Sequence, residues 1–468
     1  MGGPLAEFEK VRELTGEEAA KFQAMLAKIQ RHASRNRLRS ALEGAKKRLD
    51  DVGFSIPENA LSWQVPVGWG EKTITVPASR IRPEGFTTSL VSNPFGDLQE
   101  LAETHFHQAL ERRWSRSSML HGVSFAFVVP SAVAGDPPIR FVKSAIEATA
   151  ITDPRTDEVL AALELLSRTN ANLYMPGYTV EVALLDGAWV AVSANHIGVK
   201  GLVPCTPQAW ARTTERPFGR SRITRPLMGF MDQAVRTMLR QETNAEFYSA
   251  PQRALMGADE IHFTGPDGQK ISPLEALIGG IWALPDVYDE DEQRNIRPEL
   301  KQLQQATMQP HVDMLRSIAS MVASETTIPI NYLGVVHDQP ASAEAILAAE
   351  SDMVAMLEAE LPEIGAARTD FAGKVWAMET GEHTPAMRKD LRSLKARFRD
   401  PGTPTLAARA DAGGKYVTAF PEGDPEVAME VYGLRPDQIA RNLAHSKRAS
   451  AASAIDALIQ ATPTQVEP

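Results

Sequence analysis

Cysteine is nearly absent: the 468 residues contain one, Cys205. A lone thiol cannot form an internal disulfide, so the fold is expected to be independent of oxidation. Cys205 is expected to be a small buried apolar residue and not a nucleophile. Aromatic residues make up only 6%, so the cores must be chiefly aliphatic. No run of about 18 apolar residues occurs, so no helical membrane span is expected. Met1–Lys10 carries acidic residues and no apolar core, so no secretory signal is expected there, and folding is placed in a cytoplasm. A basic excess is missing as well: 49 Lys and Arg stand against 59 Asp and Glu, a formal net charge of −10. Proteins that hold nucleic acid tightly through its phosphates carry a basic surface. A tight grip is therefore not expected, whereas a surface past which a duplex slides is compatible with this charge.

The motifs of common catalysis are missing too. There is no GxxxxGK[ST] phosphate cradle: Gly265–Lys270 is glycine-rich but lacks the following Ser or Thr. No HExxH, paired CxxC or GxSxG occurs. His105 and His107, two residues apart on a helix, point about 200° away from each other and cannot easily share an ion. Carboxylates are plentiful, yet no pair is marked out for acid–base work. The run Asp289–Glu292 reads as an exposed acidic loop and not as a cation site. No catalytic residue, metal or cofactor is expected.

What is present suits a soluble globular chain, with 43% hydrophobic and 23% charged residues. Its length calls for two to four structural units. Thr15-Gly-Glu-Glu18 reads as a capping box opening a helix with Phe22, Met25, Leu26 and Ile29 on one face. A second helix is expected through Leu38, Leu42, Ala45 and Leu49, basic on its other side through Arg35, Arg37, Arg39, Lys46, Lys47 and Arg48. That basic side is a solvated face or a contact for nucleic acid or an acidic neighbour. The prolines of residues 51–96 predict loops and short strands. Asp97 opens one helix carrying Leu98, Leu101, Ala102, Phe106, Ala109 and Leu110. Val123–Val129 and Ile139–Val142 read as strands. Thr156–Ser167 is expected as a short helix. Asp186-Gly187 marks a two-residue hairpin between Thr179–Leu185 and Trp189–Ser193.

Beyond residue 216 the pattern changes. Thr224 and Pro226 are placed to start a helix of 20–25 residues. Leu227, Met231, Ala234, Val235 and Met238 form its apolar stripe. Asp232, Arg236, Arg240 and Asn244 form a polar stripe at i, i+4 spacing, predicting one face to pack and one to hydrate. Residues 249–309 predict a small β-containing insertion with an acidic cluster at Asp286, Asp289, Glu290, Asp291 and Glu292. Pro310 opens another amphipathic helix, ending near Pro329. Asn331–Gln339 is a loop, and Ser342 caps a third helix in which Pro362 is a candidate kink. Pro436 opens a helix with Ile439 and Leu443, and Ala451–Ile459 marks a last one. Thr462–Pro468 is expected to be disordered.

Three stretches resemble the portal proteins of tailed double-stranded-DNA bacteriophages, of the siphovirus type known from phages of actinobacteria. The first is Arg216-Pro-Phe-Gly-Arg-Ser-Arg-Ile-Thr224, then Asn244-Ala-Glu-Phe-Tyr-Ser-Ala-Pro-Gln-Arg-Ala-Leu-Met-Gly257. The second is Glu325-Thr-Thr-Ile-Pro-Ile-Asn-Tyr-Leu-Gly334 with Gln339-Pro-Ala-Ser-Ala-Glu-Ala-Ile346. The third is Pro404–Lys415 with Leu434-Arg-Pro-Asp-Gln-Ile-Ala-Arg441. They lie in the family's order across roughly residues 20–455.

The resemblance implies an α+β portal fold, mainly helical, with a β-containing wing and clip. It implies a wing over 1–215 and stem helices over 216–248 and 310–327, with a clip at 249–309. A tunnel loop over 328–341, a long wing helix and wing return over 342–400, and a crown over 401–468 complete it. It implies a structural, non-enzymatic subunit of a twelve-membered ring at one capsid vertex of the virion, assembled in the host cytoplasm. Double-stranded DNA is packaged, retained and ejected through that ring. The implied partners are the large terminase subunit, a head-completion adaptor, and the major capsid and scaffold proteins, with no membrane. Val335, Val336, His337, Asp338 and Gln339 are the implied tunnel-loop contacts with DNA. Asp286 and Asp289–Glu292 are candidate docking residues for adaptor or terminase. The acidic balance predicts a largely non-adhesive channel with isolated rings of basic residues. The competing readings are another virion ring, such as a head–tail adaptor, or a metal-dependent nucleic-acid enzyme.

Overall fold

The structure is a computed structural model. It describes residues 11–47, 67–90, 95–133, 135–249, 253–256, 287–289, 294–296, 299–302, 307–334, 343–402 and 406–461. The chain runs from a short strand, β1 (Arg12–Glu13), into helix α1 (Gly16–Glu43). Helix α2 (Trp69–Arg80), strand β2 (Pro83–Thr88) and helices α3 (Gly96–Glu103) and α4 (His105–His121) follow. A β-rich stretch comes next: β3 (Val123–Val129), β4 (Ile139–Ser144), β5 (Ala148–Thr152), β6 (Val159–Leu165) and β7 (Asn170–Met175), then β8 (Tyr178–Leu185), β9 (Ala188–His196) and β10 (Cys205–Ala209). Helix α5 (Arg225–Ser249) leads to the short strands β11 (Arg253–Met256), β12 (Val287–Asp289), β13 (Arg294–Ile296) and β14 (Glu299–Gln302). Helix α6 (Gln309–Thr326), a 3₁₀ turn (Ile330–Leu333) and the long helix α7 (Ala343–Thr380) come after them. The remainder is α8 (Pro385–Leu391), β15 (Leu394–Phe398), α9 (Leu406–Ala419), α10 (Pro425–Tyr432) and α11 (Pro436–Ala461). The class is α+β.

Four layers stack over residues 12–209 and α7. Strands β5 to β9 form an antiparallel meander with β1 on its outer edge. Helix α1 covers one face of this sheet, where Phe22, Met25 and Ile29 meet Ala161, Leu163, Leu173 and Val180. The other face meets a three-stranded sheet, β10-β3-β4. Side chains of a strand alternate between its faces, and β3 shows the consequence. Val123, Phe125 and Phe127 point at the meander beside Tyr174 and Cys205. Ala126 and Val128 point the opposite way, against Trp114 of α4 and Phe371 and Val375 of α7. Fully buried apolar side chains of this kind contribute about 1.5–3 kcal/mol each. Cys205 is fully buried, and burial pushes its thiol up, which removes it as a nucleophile at neutral pH.

The expected hairpin forms between β8 and β9. Asp186 and Gly187 have φ of 49° and 82°, as a turn that follows the right-handed strand twist requires. The capping box forms as well. Glu18 donates its amide to Thr15 Oγ1 at 3.3 Å, and the Thr15 amide donates to the Glu18 carboxylate at 2.8 Å. Arg12 grips the same carboxylate at 2.8 and 2.9 Å, tying β1 to α1. The Arg12 hydrogen bonds, with the Thr15 amide, outweigh burial and hold the Glu18 carboxyl at about 2, below its ordinary 4.5. A depressed folded value means that this contribution is complete above about pH 4.5 and lost as pH falls through 2. Glu18→Gln is therefore expected to flatten the fall of the urea midpoint between pH 5 and 2. Parallel curves for variant and parent would refute the assignment.

Five expectations need correction. Thr156–Ser167 is no helix: β6 occupies Val159–Leu165. Ala161 and Leu163 face the core under α1, while Val159 and Ala162 face the other sheet. A strand buried on both sides reads as a continuous apolar run, which periodicity cannot separate from a buried helix. The separate basic helix is the second half of α1, because nothing between Ile29 and Glu43 breaks the helix. Its stripe changes partner, with Leu42 joining a core made by α2, α5 and α6. Residues 69–80 are helical despite Pro77. The helix expected from Asp97 is two: Thr104 is extended, and its hydroxyl caps α4 through the His107 amide at 3.3 Å. With that break Phe106, grouped with the same helix as Leu98 and Leu101, is 53% exposed. The last two expected helices are one, α11.

Helix α7 continues through Pro362. It carries a fully buried charged group, Arg368. Its guanidinium pairs with buried Glu111 of α4 and donates to Gln208 at 3.0 Å and Ser115 at 2.8 Å. Glu111 also lies 3.4 Å from His107 Nε2. Burial alone would raise the Glu111 carboxyl, but Arg368 and His107 together hold it below the usual carboxylate range. His107, one of the two histidines nearest to a metal pair in the sequence, thus lies against an internal carboxylate.

Candidate functional site

Helices α5 and α6 form an antiparallel pair. At one end Thr224, just before α5, donates its hydroxyl to Glu325 near the end of α6 at 2.6 Å. At the other end Asn244 of α5 donates to Met308 Sδ, just before α6, at 3.2 Å. Helix α5 spans about 37 Å and α6 about 27 Å at 1.5 Å per residue. Thr224 caps α5 through the Leu227 amide at 3.4 Å, with Pro226 in the first turn. Leu227, Met231 and Ala234 of α5 meet Ile318, Ala319 and Val322 of α6, and all of them pack on Ile74 of α2 and Met353 and Leu357 of α7.

One buried arginine secures the base of this pair. Pro77 lacks an amide hydrogen, so the Thr73 carbonyl one turn earlier has no helical donor. The Thr326 carbonyl ends α6 and has no helical donor, only the Thr327 hydroxyl at 2.6 Å. Arg222 donates to both, through Nε to Thr73 at 2.9 Å and through Nη2 to Thr326 at 2.6 Å. It also faces the Trp210 ring at 5.6 Å. Burial pulls its guanidinium down to about 10, with Glu360 acting the other way. It stays charged at neutral pH. Arg222 lies inside the stretch Arg216–Thr224, yet nothing in the sequence marked it as the residue joining α2 to α6.

The four residues of the expected polar stripe are all half-buried. Asp232 is neutralised by Lys47 beyond α1, at 2.5 Å. Asn244 is engaged with Met308, and Arg240 keeps a buried Nε without a partner. Arg236 has no ion-pair partner among the described residues. The outward side of α6 carries Asp313, Met314, Arg316, Ser317, Ser320 and Met321 instead.

Two anchors stand on either side of residues 335–342. Before them, the Trp69 indole donates to the Leu333 carbonyl at 3.0 Å. After them, Glu350 of α7 accepts from Arg80 at 2.8 Å and from the Tyr332 phenol at 2.7 Å. Burial and Glu350 push that phenol up. Val335, Val336, His337, Asp338 and Gln339 themselves lie outside the described residues, as do Asp286, Glu290, Asp291 and Glu292. Asp289 ends β12, opposite Arg294 of β13. Strands β11 and β14 pair antiparallel between α5 and α6, in keeping with a small β-containing insertion there. Among the described residues no group of three His, Cys, Asp or Glu is placed to hold a metal, and no helix is long and apolar enough to cross a membrane.

No protein-family model matches the chain. Two curated proteins do. It is 27% identical over 397 residues to the portal protein of Mycobacterium phage L5, covering 79% of this chain and 76% of that one. The likeness is to phage portal proteins. The portal protein of Mycobacterium phage D29 matches at the same identity and coverage. Among solved structures, the neck of a native gene transfer agent particle with twelvefold cyclic symmetry gives a TM-score of 0.42 at 13% identity. The neck of an empty particle with sixfold symmetry gives 0.44 at 13% identity. Each covers 79% of this chain and 90% of the other. The two portal relatives are mycobacteriophage proteins, which agrees with the resemblance read from residues 216–257, 325–346 and 404–441.

Proposed function

We propose that this chain is the portal subunit of a tailed phage: a structural protein that closes into a ring around a channel for double-stranded DNA. The observation that carries the reading is the 27% identity to two mycobacteriophage portal proteins over 397 residues. The antiparallel pair α5 and α6, bracketing a β-containing insertion, suits a channel wall with a clip at one end. On this reading α5 and α6 are the stem, and residues 335–339 are the tunnel loop. The acidic run from Asp286 to Glu292 is a docking surface for terminase or adaptor, through electrostatic complementarity. Capsid and scaffold proteins meet the outer wing. The ring works inside the virion, after assembly in the host cytoplasm, and needs neither cofactor nor catalytic group.

Negative-stain electron microscopy of the purified protein tests this directly. Rings with a central hole are expected in views down the axis. A single compact molecule under all assembly conditions, or turnover of a substrate by the protein alone, would overturn it.

The loop role has its own test. Deleting Val335–Asp338 is expected to leave ring assembly intact while cutting packaged or retained DNA at least tenfold in a packaging assay. The anchors at Leu333 and Glu350 lie outside the deletion, which is why assembly should survive. A normal phage yield would remove the loop from the mechanism.

A further inference from the structure

A half-open cavity of about 1090 Å³ lies between α1 and the segment leading into α5. Six cations line it: Lys28, Arg35, Arg39, Arg216, Arg220 and Arg225, against one carboxylate, Glu215. Among the described residues none of the six is in an ion pair. Two of its lining residues carry buried polar atoms without hydrogen-bond partners, Arg39 Nε and His121 Nδ1, and His121 is 8% exposed. Burial, with Arg35 and Arg220, pushes the Arg39 guanidinium down to about 10. Burial pushes the Lys28 amine down to about 8. Like charges gathered this closely are destabilising unless something acidic compensates them.

Apolar side chains also line it, Ile29, Phe125, Phe218 and Met228, with the Lys28 amine 3.3 Å from the centre of the Phe218 ring. Its volume corresponds to about 10 Å on a side, close to the 10–12 Å diameter of a helix with its side chains. The major groove of a duplex is by itself about 12 Å wide, so a duplex cannot enter. The fitting occupant is a helix with small side chains in the middle and carboxylates at the flanks.

Helix α7 presents such a face. Residues 343–363 hold six carboxylates and no Lys or Arg. Of these, Glu350, Glu360 and Glu363 are engaged within the chain by Arg80, the Ala211 amide and Arg212. Asp352 and Glu358 are exposed, without a partner among the described residues. Ala348, Ala355, Ala359, Pro362 and Ala366 are exposed along one row. At 100° per residue, Asp352 and Glu358 stand about 60° to either side of that row. The row is smooth enough for close approach, and its carboxylates straddle it.

We propose that this face of α7 seats in the basic cavity of a second copy of the chain, with Asp352 and Glu358 meeting Arg35, Arg39 and Arg220. The contact is heterologous: two different patches meet, so repetition by rotation closes a ring. It rests on the ring reading above and names the pair of surfaces that joins neighbours.

Cross-linking tests the pairing. Ser34→Cys on the cavity lining and Ala355→Cys on α7 are combined in one chain and treated with a short bismaleimide. Cys205 is buried and silent. A ladder of covalent multimers is expected from the double variant and none from either single one. Rings visible in micrographs without a ladder would overturn the pairing and leave the ring reading standing. No rings from the unsubstituted protein would defeat the ring reading, and this pairing with it.

Charge exchange is the second arm. Arg35→Glu/Arg39→Glu and Asp352→Lys/Glu358→Lys are each expected to cut the ring fraction at least tenfold. The combined quadruple variant should recover to within about twofold of the parent. Normal assembly of either double variant, or no recovery in the combination, would refute the partner. Protection of Ser34→Cys from maleimide by a 20-base-pair duplex would make the cavity a nucleic-acid site and refute it too.

Discussion

Arg368→Met is expected to destabilise the protein by about 3–5 kcal/mol, measured as a shift in its unfolding midpoint. Breaking one side of a buried ion pair leaves the other charge without compensation, and losses of that size are usual. Here the abandoned group is Glu111, 3% exposed, with only His107 left beside it. Gln208 and Ser115 lose a donor at the same time. The methionine keeps most of the volume against Trp114 and Phe398, whose rings the guanidinium faces at 5.6 and 5.4 Å. The deficit should therefore be electrostatic. It follows that Arg368→Met/Glu111→Leu recovers most of the loss, since an apolar replacement of both partners removes the stranded charge. A double variant as unstable as the single one would place the deficit in packing. Glu111→Gln should show a further sign: the carboxyl is held below its ordinary value in the fold, so its contribution is present above the unfolded value and disappears in acid. The gap between parent and variant should narrow as pH falls.

The second large effect concerns Arg222. Arg222→Met is expected to cost about 2–5 kcal/mol, because two buried carbonyls, Thr73 and Thr326, lose their charged donor together. The two carbonyls differ in a way that a double variant exposes. Thr73 lacks a helical donor only because residue 77 is proline. Pro77→Ala restores an amide hydrogen there, so Arg222→Met/Pro77→Ala should regain roughly 1 kcal/mol over Arg222→Met alone. The Thr326 carbonyl keeps the Thr327 hydroxyl as a donor at 2.6 Å and loses only the guanidinium in both variants. Strict additivity of the two changes would mean that Arg222 does not serve the Thr73 carbonyl. Because Arg222 sits where α2, α5 and α6 meet, ring yield should fall along with stability.

Much of the fold was legible because local chemistry and tertiary context agreed. The Thr15 capping box, the Asp186-Gly187 turn, and the Thr224/Pro226 start of α5 each carry their own physical reason in a few adjacent residues. The apolar stripes of α5 and α6 were equally plain, since each packs a single face. The misreadings came where context overruled local signals. Val159–Leu165 is rich in Leu and Ala, which favour helices, but it lies between two cores and becomes a strand. Pro77 signals a break, but a guanidinium 145 positions away in sequence supplies the donor that the proline took from its helix. The candidate site divides in the same way. Its helices were readable from their period, whereas the Lys47–Asp232 pair and the basic cavity under α1 arise from segments far apart in sequence. The run of arginines in α1 was visible as charge, and its concave, half-buried setting was not.

The anchors beside residues 335–342 have a mechanical consequence. Trp69 holds Leu333, while Arg80 ties both Tyr332 and Glu350, so the chain is clamped to α2 just before the segment and again just after it. On the proposed channel reading, a pull on the chain at Leu333 or at Glu350 is taken up by side chains of one helix, α2, and not by the packing of α7 alone.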